Sequence, residues 1–293
     1  MGSNSILAGI GATVLAVTLL VCGFAACCLP ATTAALAGAV STGEASPYTH
    51  EQLVELAGVT RAFTVEPHGD AEQAAEELAT AVVEAAREAS AEGALKAGEW
   101  TDAARTALGE GGTALAAMDA LAKVSDRYAL DGAAVSHLED CNALIVGVSS
   151  WLGMIGVAAL IIAVLLGVRK QFAALAFMLR MGPALLLALL AVLGLWGVVD
   201  FNDLFAAFHS LFFVDGTWTF GADSLLISMY PLDFWMGMGA VWLATAVGLG
   251  LLCFAGGCVA AWRAQVQARE LQEAAAAAAR SSKKGKKGKG GRR

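Results

Sequence analysis

Long apolar stretches without a single charged residue dominate the pattern of the chain. Each is close to or above the length of about 20 residues that a helix needs to cross a hydrocarbon core. The third uncharged stretch begins after Arg180, but the residues just before that arginine are also apolar. They extend the third predicted span back to residue 175. In lipid, a single segment of this kind satisfies its backbone groups only as a helix. The pattern therefore predicts four membrane-spanning helices, at 6–29, 141–168, 175–199 and 234–262.

The first stretch has two interpretations, a cleaved signal peptide or a retained helix. A signal peptide begins with a positively charged segment and has an apolar part of about 7 to 15 residues. Residues 1–5 contain no Lys or Arg, and the apolar part that follows is longer than this. We therefore expect the stretch to stay in the protein as its first spanning helix.

The composition agrees with these spans. Hydrophobic residues make up 57% of the chain and charged residues only 15%, with a mean hydropathy of +0.64. A soluble domain carries about 25% charged residues. The sequence also lacks the patterns GxxxxGK[ST], GxSxG and HExxH. These observations indicate an integral membrane protein and exclude a cytosolic enzyme.

The charges between the apolar stretches are divided unequally. Residues 30–140 carry 6 basic and 19 acidic side chains, and residues 200–233 carry five acidic and no basic ones. Residues 169–180 hold three basic and no acidic side chains, whereas residues 263–293 hold ten and two. Because basic residues favour the cytoplasmic side, we expect both termini inside and the two acidic segments outside. All four histidines lie in those segments, so chemistry is expected on the extracytoplasmic face.

The two outer segments differ in kind. The segment 30–140 is rich in Ala and Glu, which predicts a cap of helices whose glutamates form a solvated face: Glu72, Glu76, Glu77, Glu84 and Glu88. The segment 200–233 is a loop dense in aromatic residues, which suit the membrane interface. With a cytoplasmic turn at 169–174, the predicted fold class is an all-α integral membrane protein with four transmembrane helices and an extracytoplasmic helical cap.

The basic C-terminal segment 263–293 ends in RSSKKGKKGKGGRR. Nucleic-acid binding is one interpretation, but the tail follows a span and has no aromatic residue to stack on bases. Anionic lipid headgroups attract such juxtamembrane basic segments. We therefore expect a cytoplasmic tail, helical over 265–279 and unfolded beyond, with membrane phospholipid as partner and no nucleic acid.

Two short sequences are candidates for chemistry. His137 and Asp140, just before the second span, are three residues apart and share one face of a helix. His209 stands among the phenylalanines of FAAFHSLFF, in the aromatic segment. A carboxylate beside one imidazole and apolar rings around the other suit proton transfer on a lipid. His50 and His68 are expected to be surface residues.

The aromatic segment resembles the signature of the lipoprotein intramolecular transacylase (Lit) family of bacterial four-span membrane proteins. The family shows an FH-x-x-FF core, then a Trp, an Asp-x-[LI]-[LI] and a Pro with aromatics before the last span. These fall on Phe208-His209, Phe212-Phe213, Trp218, Asp223-Ser224-Leu225-Leu226, Pro231 and Phe234-Trp235. A second family motif, His-[LM]-x-Asp-Val, falls on His137-Leu138-Glu139-Asp140-Cys141, where Cys141 replaces the usual Val.

The resemblance implies an acyltransferase of the bacterial cytoplasmic membrane. Its substrate would be a lipoprotein whose N-terminal cysteine carries a diacylglyceryl group and a free amine. The sn-2 acyl chain would move to that amine and leave the lyso form. The amine and ester are tethered to one cysteine, so orientation supplies much of the rate, and no cofactor or metal is expected.

The site predicted from this resemblance and from the residues has His137 and His209 as its catalytic pair. Asp140 would orient His137, and Asp223 would be a cap or turn residue. Four aromatic side chains would line the pocket that binds the substrate or lipid: Phe208, Phe212, Trp218 and Phe220.

Two other functions stay open at this point. One is a metal-dependent lipid hydrolase with His137, Asp140 and His209 as ligands. The other is an envelope scaffold or sensor without catalysis, which binds a partner through its acidic segment.

The surroundings of the two histidines predict opposite pKa shifts. Burial among phenylalanines would lower the pKa of His209, and Asp140 would raise that of His137. We therefore expect His209 to act as base toward the amine and His137 as proton donor.

Overall fold

The structure is a computed structural model, and it describes residues 3–40, 46–91, 112–214 and 216–289. Within these ranges the chain forms ten helices and no strand. In chain order they are α1 (Ser3–Cys27), α2 (Pro30–Val40), α3 (His50–Val65), α4 (Ala71–Ala91), α5 (Ala114–Val124), α6 (Gly132–Val168), α7 (Phe172–Val199), α8 (Phe201–Ser210), α9 (Leu225–Met229) and α10 (Leu232–Lys289). Part of the predicted helical cap, residues 92–111, and the last four residues of the basic tail lie outside the described residues.

Four helices are long and apolar enough to cross a membrane, and they are α1, α6, α7 and α10. The fold class predicted from the apolar pattern, an all-helical multi-pass membrane protein, is confirmed. Two of the four helices, α6 and α10, extend well beyond the apolar stretches, whereas α1 ends at Cys27, two residues before the predicted end. The predicted turn before the third span is shorter, since α7 begins at Phe172.

The second spanning helix begins nine residues before its uncharged part. Asp131 starts α6 early, because its Oδ1 accepts a hydrogen bond from the Ala134 backbone N–H at 2.8 Å. A 37-residue helix is about 55 Å long, whereas the hydrocarbon core is about 30 Å thick. The uncharged part, 141–168, is long enough to span. Residues 132–140, which include His137, therefore precede the uncharged part of α6.

The last helix is also longer than its apolar part. It continues through the Ala-rich segment 265–279, as predicted, and then through Lys289, where the sequence predicted an unfolded tail. Ala and Lys are good helix formers, and a helix propagates readily once it is nucleated. The basic segment is therefore a helical extension of α10 over most of its length.

The described chain divides into two compact units. The first comprises Met1–Leu20, Gly153–Leu190 and Ala246–Arg293. Its buried core consists of six side chains: Leu15, Leu19, Leu166, Met178, Leu186 and Ala246. Small residues let the helices approach: a Cβ on Gly11 would lie 2.7 Å from Met178 Sδ.

The second unit comprises Val21–Leu152 and Ala191–Thr245. Its core holds the largest fully buried side chains of the unit: Leu53, Leu78, Val82, Leu121, Leu130, Leu225, Met229 and Phe234. Glu76, predicted to lie on a solvated face, caps α5 instead. Its Oε1 and Oε2 accept hydrogen bonds from the backbone N–H groups of Ala114 (2.6 Å) and Leu115 (3.1 Å). A carboxylate is favoured there by the positive end of the helix dipole.

A buried amide joins α6 to the end of α3. Asn142 is 9% exposed, and its Nδ2 donates to the backbone oxygens of Phe63 (3.1 Å) and Glu66 (2.7 Å). The last carbonyls of a helix lack partners within that helix. Asn142 satisfies two carbonyl groups at this end, so it fixes α6 against α3 five residues from His137.

We predict that Asn142→Leu destabilises the second unit. The substitution removes both hydrogen bonds and leaves the Glu66 carbonyl without this donor, at a cost of about 1–3 kcal/mol. Thermal unfolding of the purified protein in detergent would show a lower midpoint than for Ala143→Leu, the exposed neighbouring position. Equal midpoints for the two variants would contradict the role assigned to Asn142.

Candidate active site

Two helices bring His137 and His209 together. His137 lies in the second turn of α6, and His209 lies near the end of α8. The ten-residue α8 forms within the predicted aromatic loop because Asp200 caps it, accepting a hydrogen bond from the Asp203 N–H at 2.9 Å. The centroids of the two imidazole rings are 6.2 Å apart. Two residues 72 positions apart in the sequence thus share one site in the second unit.

Aromatic rings cover His137. Its side chain is 9% exposed, and its ring centroid lies 4.8 Å from that of Phe213 and 5.6 Å from that of Phe220. Nε2 lies 3.6 Å from the Sγ of Cys141, one helical turn further along α6. Nδ1 is buried without a hydrogen-bond partner. One ring nitrogen of His137 therefore contacts the protein, and the other has no hydrogen-bond partner.

His209 is half-buried among aromatic rings. Its Nδ1 donates to the backbone oxygen of Phe205 at 2.8 Å, within α8. Its ring centroid lies 4.0 Å from that of Phe205 and 4.9 Å from that of Trp218. Because a carbonyl oxygen accepts only, this bond places the proton on Nδ1 and leaves the lone pair of Nε2 free.

The hydrogen bond to Phe205 leaves His209 with a lone pair on Nε2, an acceptor. The contact between Cys141 Sγ and Nε2 of His137 fits either tautomer: with the thiol as donor, the ring proton of His137 is on Nδ1. In that tautomer the two rings would provide a donor and an acceptor, an arrangement suited to general base catalysis with stabilisation of a developing oxyanion.

Burial lowers the pKa of both imidazoles. For His209 the cause is desolvation, partly opposed by the hydrogen bond to Phe205, and the predicted direction is confirmed. For His137 desolvation comes first and the neighbouring His209 second, and both lower the pKa; Asp140 raises it by less. The predicted rise for His137 is therefore wrong, because Asp140 is exposed to water, which screens its charge.

The other predicted site residues differ in how far they are buried. Trp218 and Phe220 are partly buried beside the histidines, whereas Phe208 and Phe212 are 48% and 49% exposed. Asp223 is exposed, with an oxygen 4.0 Å from Arg127 Nε. The cap of α9 is its neighbour, Ser224.

The remaining histidines stand apart from the pair. His50 is exposed at the start of α3. His68 is more buried than the sequence predicted, because its ring stacks on Phe63 at 5.0 Å and Nε2 donates to the Phe63 oxygen. Across the described residues, no group of three or more His, Cys, Asp or Glu side chains is arranged to hold a metal ion.

Two contacts of the pair were missed by the sequence analysis. Cys141 is four residues after His137, and this helical spacing was a signal that could have indicated the contact. Phe213 was recognised near His209 on a helix, but its packing against His137 is a tertiary contact that no local pattern predicts.

The fold and the site define a multi-pass, all-helical membrane protein with a buried imidazole pair. Residues 117–235, which contain both histidines, match the family model of the lipoprotein intramolecular transacylase Lit. Over this segment the chain is similar to the Lit family.

Solved structures show the same fold. The membrane integral lipoprotein intramolecular transacylase Lit from Bacillus cereus is similar over 90% of this chain and 98% of that one, with a TM-score of 0.57 and 13% identity. A histidine-to-arginine variant of that protein is similar over 90% and 94%, with a TM-score of 0.57 and 14% identity. No curated protein sequence matches the chain.

The desolvation of the imidazoles can be tested by titration. We predict that NMR of histidine-labelled protein shows two imidazoles with pKa values below 6.5, and that Phe220→Ala moves the pKa of His137 upward, because water then reaches its ring. Phe201→Ala is the matched control, since Phe201 packs on Phe205 and not on His137. No upward movement in Phe220→Ala would contradict desolvation as the main cause.

Proposed function

We propose that the chain moves the sn-2 acyl group of a diacylglyceryl-cysteine lipoprotein to the α-amine of the same cysteine. The observation that carries the proposal is the pair of imidazoles, 6.2 Å apart and covered by aromatic rings, within the segment that matches the Lit family. Acyl transfer from an ester to an amine needs a base and a donor toward the carbonyl oxygen, and this pair offers both.

In the proposed reaction His209 is the base. The amine nitrogen attacks the ester carbonyl while Nε2 of His209 takes one amine proton. The tetrahedral intermediate then collapses, the bond to the glycerol oxygen breaks, and the imidazolium returns its proton to that oxygen. The products are an amide and a free glycerol hydroxyl, and His209 is neutral again.

In the same reaction His137 is a hydrogen-bond donor toward the oxyanion. The sequence analysis expected it to be a proton donor in its charged form, but its lowered pKa favours the neutral ring at pH 7. A neutral imidazole with its proton on Nδ1 can stabilise an oxyanion without transferring that proton. The unpartnered, buried Nδ1 supports this role.

The surroundings of the pair suit an acylated lipid substrate. Phe208 and Phe212, half exposed on or just after α8, offer apolar surface for acyl chains. The amine and the ester belong to one molecule, so binding in one orientation replaces a bimolecular encounter. The reaction as written uses no metal and no cofactor.

We infer the orientation from the charges. The segments around the site, 30–140 and 200–233, are acidic, whereas 169–180 and 263–293 carry 13 of the 19 Lys and Arg residues. The positive-inside rule then favours cytoplasmic termini and an active site on the extracytoplasmic face of the bacterial cytoplasmic membrane, where anchored lipoproteins would reach it. Asp140 would act there as a weak, water-screened neighbour of His137.

Substituted histidines test the two roles. We predict that His209→Gln lowers the rate with a synthetic diacyl lipopeptide by about 10²–10⁴-fold, because an amide cannot take the proton. His137→Gln should retain more activity, since its amide N–H still donates to an oxyanion. The rates are measured by mass spectrometry of the product in detergent, with His50→Gln as control at an exposed position. Equal losses in both variants would contradict the division of roles.

The pH dependence tests the state of His137. Because both pKa values are lowered, both imidazoles are neutral above pH 6.5 and lose the required form only as the pH falls below it. The rate, divided by the free-amine fraction of the lipopeptide (ordinary pKa about 8), should be constant from pH 7 to 9 and fall below 6.5. A decline between pH 7 and 9 would indicate a charged histidine as proton donor.

A further inference from the structure

A second unpartnered N–H group lies beside the histidine pair. Among the described residues, two aromatic side chains have a buried ring nitrogen without a hydrogen-bond partner, His137 at Nδ1 and Trp218 at Nε1. Leaving a buried donor unsatisfied costs about 1–3 kcal/mol, so such groups call for an explanation. Both of these rings lie against one residue: the His209 ring centroid is 6.2 Å from that of His137 and 4.9 Å from that of Trp218.

The indole of Trp218 lies at a small angle to the imidazole of His209. An indole N–H lies in the plane of its ring, and this plane is tilted by only 32° from that of His209. The N–H therefore does not point at the face of the His209 ring. Phe205 packs edge-on against the same indole, with centroids 6.3 Å apart and the planes at 65°.

An interfacial anchor would use its indole in a different way. A tryptophan at the membrane surface keeps its N–H in contact with water or headgroups. Trp196 shows a satisfied indole in this chain, since its Nε1 donates to Asp203 Oδ2 at 2.9 Å. The buried, unpartnered Nε1 of Trp218 fits a donor that waits for a ligand oxygen.

We propose that Trp218 is a further catalytic residue, whose indole N–H forms an oxyanion site together with the Nδ1–H of His137. The proposal rests on the proposed acyl transfer. The oxygen it would bind is the carbonyl oxygen of the ester, which becomes negative as the amine attacks. Two N–H donors fixed before the reaction stabilise that charge with little reorganisation.

Removing the donor while keeping an aromatic ring tests the proposal. We expect Trp218→Phe to lower kcat for the diacyl lipopeptide by about 10²–10³-fold, the loss usual for one oxyanion donor, with little change in KM. The matched control is Trp235→Phe, at a tryptophan that also packs edge-on against Phe205 (6.1 Å) but is 39% exposed. The control should retain kcat.

Stability separates this role from packing. The indole N–H has no partner to lose, so Trp218→Phe should not lower the thermal midpoint more than Trp235→Phe does. A second variant carries 3-benzothienylalanine at position 218, introduced by amber suppression, in which sulfur replaces the N–H and the ring shape is kept. It should lose kcat to the same extent.

The outcomes distinguish the two proposals. In one outcome the unsubstituted protein converts the lipopeptide and the benzothienylalanine variant has the same kcat. This result would overturn the role of Trp218 and leave the acyl transfer intact. Unsubstituted, folded protein that leaves the lipopeptide unchanged would overturn the proposed function, and the role of Trp218 with it.

Discussion

The burial of two imidazoles under aromatic rings is the constraint on which the site depends. Water is replaced around His137 and His209 by the rings of Phe205, Phe213, Trp218 and Phe220. Desolvation disfavours the charged form of both imidazoles, and the neighbouring His209 further disfavours a charge on His137. Two neutral rings can divide the roles of acceptor and donor if one presents a lone pair and the other an N–H group. The hydrogen bond to Phe205 leaves the lone pair of His209 on Nε2, and the proposed reaction assigns an N–H group at Nδ1 to His137.

The fold supports this arrangement through short polar contacts at helix ends. Asp131 caps the start of α6 and Asp200 caps the start of α8, so each histidine lies on a helix whose first turn is fixed by a hydrogen bond. Asn142 attaches α6 to the end of α3, directly after the turn that carries His137. A buried amide or cap of this kind fixes a helix in rotation as well as position. Such precision matters because a donor misplaced by about 1 Å loses much of its effect on a reacting atom.

The sequence predicted the parts of the fold that depend on local composition. Spans are visible as uncharged stretches, and the four predicted spans correspond to α1, α6, α7 and α10. The early start of α6 was missed because Asp131 and the charged residues 139–140 interrupt the apolar pattern without interrupting the helix. The site was predicted only in part. The two histidines were found by their surroundings and by the resemblance to the Lit family, whereas the net effect of Asp140 depends on its exposure, which a sequence does not reveal.

We propose that this chain transfers an acyl group within one lipoprotein by means of His137 and His209. The most direct measurement is mass spectrometry of N-terminal lipopeptides from bacterial cells that make diacyl lipoproteins and express the chain. We expect N-acyl, S-monoacylglyceryl cysteine in cells with the unsubstituted chain, and unchanged diacylglyceryl cysteine in cells with an equal amount of the His137→Ala, His209→Ala double variant. Lipopeptides that stay diacylated with the unsubstituted chain, or that are converted equally well by the double variant, would contradict it.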